Sequence, residues 1–409
     1  MLDGRAGEAA ALAMRVIQAM AKAENATRLI EVESAHVDGC LLHGASGVAF
    51  AEKLVALGAR VRIPTSLNVG AMDLRNPANI RLEEQDRELA VRLMNAYVAM
   101  GCLPTWTCAP YQAGFRPLPG SQVAWAESNA VVFANSVLGA RTNRYGDFMD
   151  ICCALTGYAP YSGLHLTHNR RATIVIHLSA LPAELKKEET FYPVLGAWLG
   201  RNTGNEVAVL DGLPAPISED RLKALGAAAA SSGSVGLFHV VGVTPEAPTL
   251  EAILAPGPFR EMTPSLDALR EERDRMTTAR GDQLDVVAVG SPHFSLDEFG
   301  QLQNLLAGRS LAVPVYACTG RHVVEVLEAR GELDALQAAG VVILADTCVV
   351  VTAVLPSQQG VLMTNSGKFA HYSESLVGHQ VVFGSLAECI ESAVKGRVLR
   401  DDVTWGRSS

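Results

Sequence analysis

The sequence lacks any Cys-x-x-Cys pair among its 8 cysteines, any block of like charge, any low-complexity tract and any internal repeat. Each absence removes a class of protein. Without paired thiols there is no simple zinc or ferredoxin spacing, and without biased tracts there is no disordered tail. No uninterrupted apolar run approaches the ~20 residues needed to span a bilayer, so no membrane partner is expected. An excess of basic residues is missing too: the net charge is −9, which argues against a phosphate backbone, and hence nucleic acid, as the main partner. The opening Met1-Leu2-Asp3-Gly4-Arg5-Ala6-Gly7-Glu8 has no secretory apolar core, which points to a cytoplasmic protein whose cysteines stay reduced.

What remains is globular. With 409 residues, 49% hydrophobic and 19% charged, the chain can build two or three packed α/β units. Gly7 to Lys22 reads as a helix and Ala59 to Pro64 as a short strand, with a loop to Gly70. Residues 83–100 read as a helix, Leu103 to Cys108 as a strand and Gln122 to Leu138 as a helix. Strands at Thr173 to Leu178, Glu206 to Leu210 and Val235 to Val241 enclose a helix at Ser218 to Ala230. After the charged stretch Leu266 to Arg280, a regular alternation ends strands at Gly290, Cys318, Asp346 and Thr364. The expected units are 1–170, 171–280 and 281–409.

Three cysteines follow strand-like runs: Cys108 after Thr105-Trp106-Thr107, Cys318 after Val313 to Ala317, and Cys348 after Val342 to Thr347. Spacing alone makes them small core hydrophobes. Strand exits change the argument, because the carboxyl ends of parallel strands line the ligand crevice of an open sheet and bring distant residues together. Polar or small residues follow the last unit's exits: Ser291 and His293, Thr319, Thr347, and Asn365-Ser366-Gly367-Lys368. The run Arg141-Thr142-Asn143-Arg144 offers donors for a carboxylate, or a helix cap. His165, in Gly163-Leu164-His165-Leu166, suits a satisfied core histidine as well as a site.

Taken together, Pro64-Thr65-Ser66-Leu67-Asn68, Thr107-Cys108-Ala109-Pro110-Tyr111, Trp125-Ala126-Glu127-Ser128-Asn129-Ala130, Asn135 to Arg144, Asp346-Thr347-Cys348 and Asn365 to Lys368 resemble the aconitase X family, over most of the chain. The resemblance implies an aconitase-like α/β fold of several α/β/α units, with largely parallel sheets around a metal-bearing crevice. It also implies a large, catalytic subunit of a hydro-lyase. Cys108, Cys318 and Cys348 look like the family's iron ligands. Three thiolates are compatible with [2Fe-2S], [3Fe-4S], [4Fe-4S] or mononuclear iron, with [2Fe-2S] favoured. Asn68, Glu127, Asn129, Arg141, Asn143, Arg144, His165, Ser366 and Lys368 become the substrate-binding candidates, with Arg144 preferred to Arg141 for a carboxylate.

Two departures refine the expectation. Gly290-Ser291-Pro292-His293-Phe294-Ser295 resembles a segment with cysteines around the histidine in archaeal relatives; Ser291 and Phe294 stand there instead. That shifts weight from phosphomevalonate dehydration to a small hydroxy acid, cis-3-hydroxy-L-proline, converted through an enamine to Δ1-pyrroline-2-carboxylate. No segment resembles the small swivelling domain that supplies a base in this superfamily, so a small subunit is the expected partner. The reading of another class is a metal-free ligand-binding or scaffold subunit whose cysteines are core residues.

Overall fold

Among the described residues, short parallel strands organise three successive sheets, beside one antiparallel pair, Leu29–Glu31 with Tyr158–Pro160, and the side chains that matter sit where the parallel strands end. The computed structural model describes residues 1–357, 359–401 and 405–406. Residues 358, 402–404 and 407–409 of the expected last unit lie outside that set.

In the first sheet Ala35–Val37 runs between Thr65–Leu67 and Ala124–Trp125, both parallel to it, with Val37 opposite Leu67 and His36 opposite Trp125. All eight of these residues are buried, as expected for small and apolar side chains packed on both faces. The helices Glu8–Ala23, Ala45–Ala56, Glu84–Ala99 and Met149–Thr156 belong to the same region.

The second sheet places Phe238–Val240, Ala208–Asp211, Ile174–His177 and Arg260–Met262 side by side, all parallel. The helices Phe191–Thr203 and Glu219–Ser232 meet so closely that a Cβ on Gly196 or Gly200 would strike backbone carbonyls of Leu225 or Ala229. Arg170, 1% exposed, joins this unit to the first: its guanidinium donates to Asn135 Oδ1 (2.9 Å), the Ala140 carbonyl (3.0 Å) and Glu246 Oε2 (2.7 Å).

The third sheet has the spatial order Val341–Ala345, Val315–Thr319, Val286–Phe294, Val361–Thr364, Gln380–Phe383, again all parallel. Its order reverses direction at Val286–Phe294, the first of these strands in the sequence, the doubly wound arrangement. Among the described residues no helix is long and apolar enough to cross a membrane.

Three local expectations are corrected. Ala59–Pro64 is not a strand: the Val61 and Arg62 amides bond to the Met100 and Ala154 carbonyls, and the ladder starts at Thr65. Leu103–Cys108 is not a regular strand either. Leu103 makes a single bridge to Ser66, after which Pro104 and the positive φ of Trp106 (44°) break the extended run. Gln122–Leu138 is two elements, because Ala124–Trp125 joins the sheet and the helix begins only at Ser128, capped by Glu127.

Candidate active site

The strand exits converge on a cavity of about 340 Å³ whose wall includes Asp38, Asn68, Cys108, Glu127, Arg144, Tyr145, Ser291, Cys348 and Lys368. Cys108 and Cys348 are 5% and 6% exposed, so they form its floor, whereas Arg144 is exposed and marks its mouth. Cys318 is fully buried beneath them, on the strand next to the one that leads to Cys348.

The cysteine loops are held by a histidine. His293 Nε2 donates to the Thr347 carbonyl (3.1 Å), so Nδ1 accepts from the Thr107 hydroxyl (2.9 Å). One imidazole thus ties the residue before Cys348 to the residue before Cys108. Burial pulls its pKa down to about 3, which keeps it neutral and suited to these two bonds.

The Cys108 thiol receives the His293 N–H at 3.3 Å, and the backbone amides of Val349 and Val350 act on the thiols of Cys318 and Cys348. Burial pushes all three thiols up, Cys108 to about 12, and the charge of Cys348 adds to the rise at both Cys108 and Cys318. The three are therefore neighbours in one electrostatic environment. Among the described residues no three His, Cys, Asp or Glu side chains are grouped to hold one metal ion. A single ion with bonds of about 2.3 Å to sulfur needs thiolates only about 4 Å apart, whereas the irons of a cluster spread theirs further. Three buried cysteines beside an open cavity, one of them receiving a backbone N–H at sulfur, are the residues that could hold an iron-sulfur cluster.

Lys368 sits on the same wall, its Nζ 2.5 Å from Glu127 Oε1. Burial works against its charge, but Glu127 and then Cys108 outweigh it, so its pKa is raised and the ammonium persists. Glu127 is locked for this contact by a positive φ of 67° and by accepting the Ala130 N–H through Oε2 at 2.8 Å. Among the described residues no ion pair engages Arg144, which stands exposed at the mouth.

The other sequence candidates fall around this cavity rather than on its wall. Asn129 Nδ2 holds the Cys108 carbonyl at 2.9 Å. Arg141 bonds Thr167 (2.7 Å) and faces Glu246, and Asn143 accepts the Leu164 N–H at 2.7 Å. His165 Nδ1 donates to Gln122 Oε1 (2.6 Å), so its Nε2 accepts from Tyr145, a residue of the cavity wall, at 2.5 Å. Ser366 caps the helix Gly367–Tyr372 that carries Lys368, accepting the Phe369 N–H at 3.0 Å, and its hydroxyl bonds the Ser291 carbonyl. Sequence reasoning missed Asp38 and Tyr145; the signal for Asp38 was a carboxylate and glycine directly after the short segment Ala35-His36-Val37.

Family models for the first, third and second domains of aconitase X match residues 1–168, 284–395 and 172–274. The chain belongs to the aconitase X family. It is 45% identical to a protein of Pseudomonas aeruginosa named cis-3-hydroxy-L-proline dehydratase, over 97% of this chain and 69% of that protein. It is 36% identical to the phosphomevalonate dehydratase large subunit of Methanothermobacter thermautotrophicus, over 94% of each. The crystal structure of Thermococcus kodakaraensis aconitase X, in its holo form, superposes with a TM-score of 0.86 at 33% identity, covering 96% of this chain and 97% of that one.

Within this aconitase X chain the segment Gly290–His293 bulges out of the ladder: Val289 pairs with Ala317, and the next pair is Phe294 with Thr319. The bulge carries Ser291 to the cavity and His293 to the cysteine loops, while Phe294 returns to the core, edge-on to Phe299 at 5.6 Å. Gly290 makes it possible, with φ at 88° and no room for a Cβ against the Cys318 carbonyl. Gly290→Ala is expected to cost about 2 kcal/mol of unfolding free energy and to lower bound iron. Urea denaturation and iron analysis of the purified protein check this; an unchanged midpoint with full iron would refute it.

Proposed function

We propose that the chain is the cysteine-bearing component of a hydro-lyase that dehydrates cis-3-hydroxy-L-proline. The observation that carries the reading is one small cavity with Cys108 and Cys348 on its floor and Lys368 and Arg144 on its wall. The relative named for this activity is also more similar in sequence than the archaeal phosphomevalonate dehydratase subunit.

The reaction must remove a weakly acidic proton from C2 and release hydroxide from C3. Cys108, Cys318 and Cys348 would hold an iron-sulfur cluster, [2Fe-2S] first among the nuclearities, which supplies a Lewis acid for the leaving oxygen. Lys368 and Arg144 bind and orient the carboxylate, Arg144 through a planar fork and Lys368 as a point charge, and their positive field stabilises the charge that develops as C2 loses its proton. His293 and Asn129 keep the cysteine loops in place.

In cis-3-hydroxy-L-proline the carboxylate and hydroxyl share one ring face and the C2 hydrogen lies on the other. With the hydroxyl turned to the cysteine floor, the C2 hydrogen, on the opposite ring face, is directed towards the mouth. A base arriving from outside the cavity suits that geometry, so a second, small component closing over the mouth is part of the proposal. The coverage of the Pseudomonas protein, 69%, leaves room for such a region there, and the archaeal relative is called a large subunit. The enamine then tautomerises to Δ1-pyrroline-2-carboxylate.

The test is anaerobic co-expression with the small component and assay on both substrates. Pyrroline-2-carboxylate formation, with no turnover of phosphomevalonate, is the expected result; turnover of the phosphorylated acid alone would reverse the assignment.

A further inference from the structure

We propose that Asp38 and Asn68 form a subsite for the secondary ammonium of a zwitterionic substrate, which deepens the hydroxyproline reading above and rests on it. Both residues stand at the exits of neighbouring parallel strands: Val37 is paired with Leu67, and the Asn68 N–H continues the ladder to the Val37 carbonyl at 2.9 Å. The next side chains, Asp38 and Asn68, therefore emerge together into the cavity that holds Cys108, Cys348 and Lys368.

Their polar atoms are incompletely used. Asn68 donates through Nδ2 to Asp38 Oδ1, and its own Oδ1, in a side chain only 1% exposed, has no partner. With the amide nitrogen given to Asp38, the amide oxygen is left as an acceptor without a donor. Asp38 has no cationic partner among the described residues, whereas the neighbouring Glu127 is already paired with Lys368. The backbone at Asp38 is fixed: its N–H and that of Gly39 both donate to Asp150 Oδ2, at 2.6 and 3.1 Å.

Two acceptors, one charged, set side by side are the complement of a ring NH2+, which has two N–H bonds to give. A phosphate at the same place would meet acceptors on both sides. Burial, then Glu127 and Asp147, push the Asp38 carboxyl up to about 8, and an arriving ammonium is the charge that would restore its ionised form. The cavity then reads as a zwitterion receptor, with cations for the carboxylate and acceptors for the amine.

The experiment is calorimetric binding to the metal-loaded, assembled protein of L-proline and of (S)-tetrahydrofuran-2-carboxylate, which carries oxygen in place of the ring nitrogen. Neither has the leaving hydroxyl, so binding is read without turnover. The wild type should favour L-proline by roughly ten- to hundredfold, the effect of hydrogen bonds to a charged group. Asp38→Asn and Asn68→Leu should each reduce that ratio. L-proline bound no tighter than its oxygen analogue by the wild type, or not bound at all, overturns the subsite whatever the variants do. Discrimination for the amine without turnover of cis-3-hydroxy-L-proline would uphold the subsite and sink the hydroxyproline reading; turnover without discrimination would do the reverse.

Discussion

Serine in place of Cys108, Cys318 or Cys348, one at a time, is expected to remove most of the bound iron and to lower dehydratase turnover by about three orders of magnitude, the scale on which losing an electrophilic group acts. Serine keeps the size of the side chain but replaces a soft thiolate donor by a hydroxyl, which holds iron poorly. The position of each cysteine makes the effect general. Cys108 and Cys348 face the cavity and Cys318 lies under them, so no one of the three is peripheral. Cys389 is the control. It is fully buried in the hydrophobic core of the third unit, so Cys389→Ala should cost only about 1 kcal/mol and leave iron intact. Iron content and visible absorption of the anaerobically purified variants decide the matter. Full iron in any of the three serine variants would remove that cysteine from the ligand set, and full iron in all three would return the cysteines to the core.

The third unit was the most legible part of the chain. Its strands are apolar runs with abrupt polar exits at Thr319, Asp346 and Asn365, as a parallel sheet covered on both faces requires, although the first strand runs past its expected end at Gly290 through the bulge to Phe294. The first unit was harder to read for the opposite reason. Its strands are 2 or 3 residues long, too short for a period to show. Arg60 and Arg62 alternate with apolar residues as if in a strand, yet the Val61 and Arg62 amides are taken up by distant carbonyls. The site shows the same division. Cys108, Cys348, Lys368 and Glu127 sit in motifs that resemble a family. Asp38 and Tyr145 enter the cavity only through tertiary placement: Asp38 by the pairing of Val37 with Leu67, and Tyr145 by its bond to His165. Arg141 and Arg144 lie three residues apart on an extended segment, bridged at Arg141 to Gln122 and at Tyr145 to Ala126, so they point to opposite sides: one faces Glu246 while the other reaches the cavity mouth.

Lys223 should be the most damaging single position away from the cavity. Its ammonium is 2% exposed, lies 2.8 Å from Asp220 and 2.5 Å from Glu298, and donates to the His293 carbonyl at 3.2 Å. It thus fastens the helix Glu219–Ser232 of the second unit to the helix Leu296–Leu306 of the third and to the bulge that carries His293. Lys223→Met keeps the length of the stem but leaves two carboxylates without a counter-charge, an arrangement that costs about 3–5 kcal/mol. The sign with pH follows from Glu298, whose carboxyl burial already pushes up to about 7 against the opposing pull of Lys223. A carboxyl with a raised folded pKa binds more protons folded than unfolded. Stability is therefore lost as pH rises from its unfolded value near 4.5 through the folded one. Without Lys223 the folded pKa climbs further and the loss extends above pH 7. The deficit of Lys223→Met relative to wild type should therefore be larger at pH 8 than at pH 5, as read from denaturant midpoints at the two values. A deficit independent of pH would mean that lost packing, rather than the stranded carboxylates, weakens the variant. Because the same ammonium holds the His293 carbonyl, the folded variant should also retain less iron than wild type. Full iron there would show that the two cysteine loops keep their alignment through Thr107 and Thr347 alone.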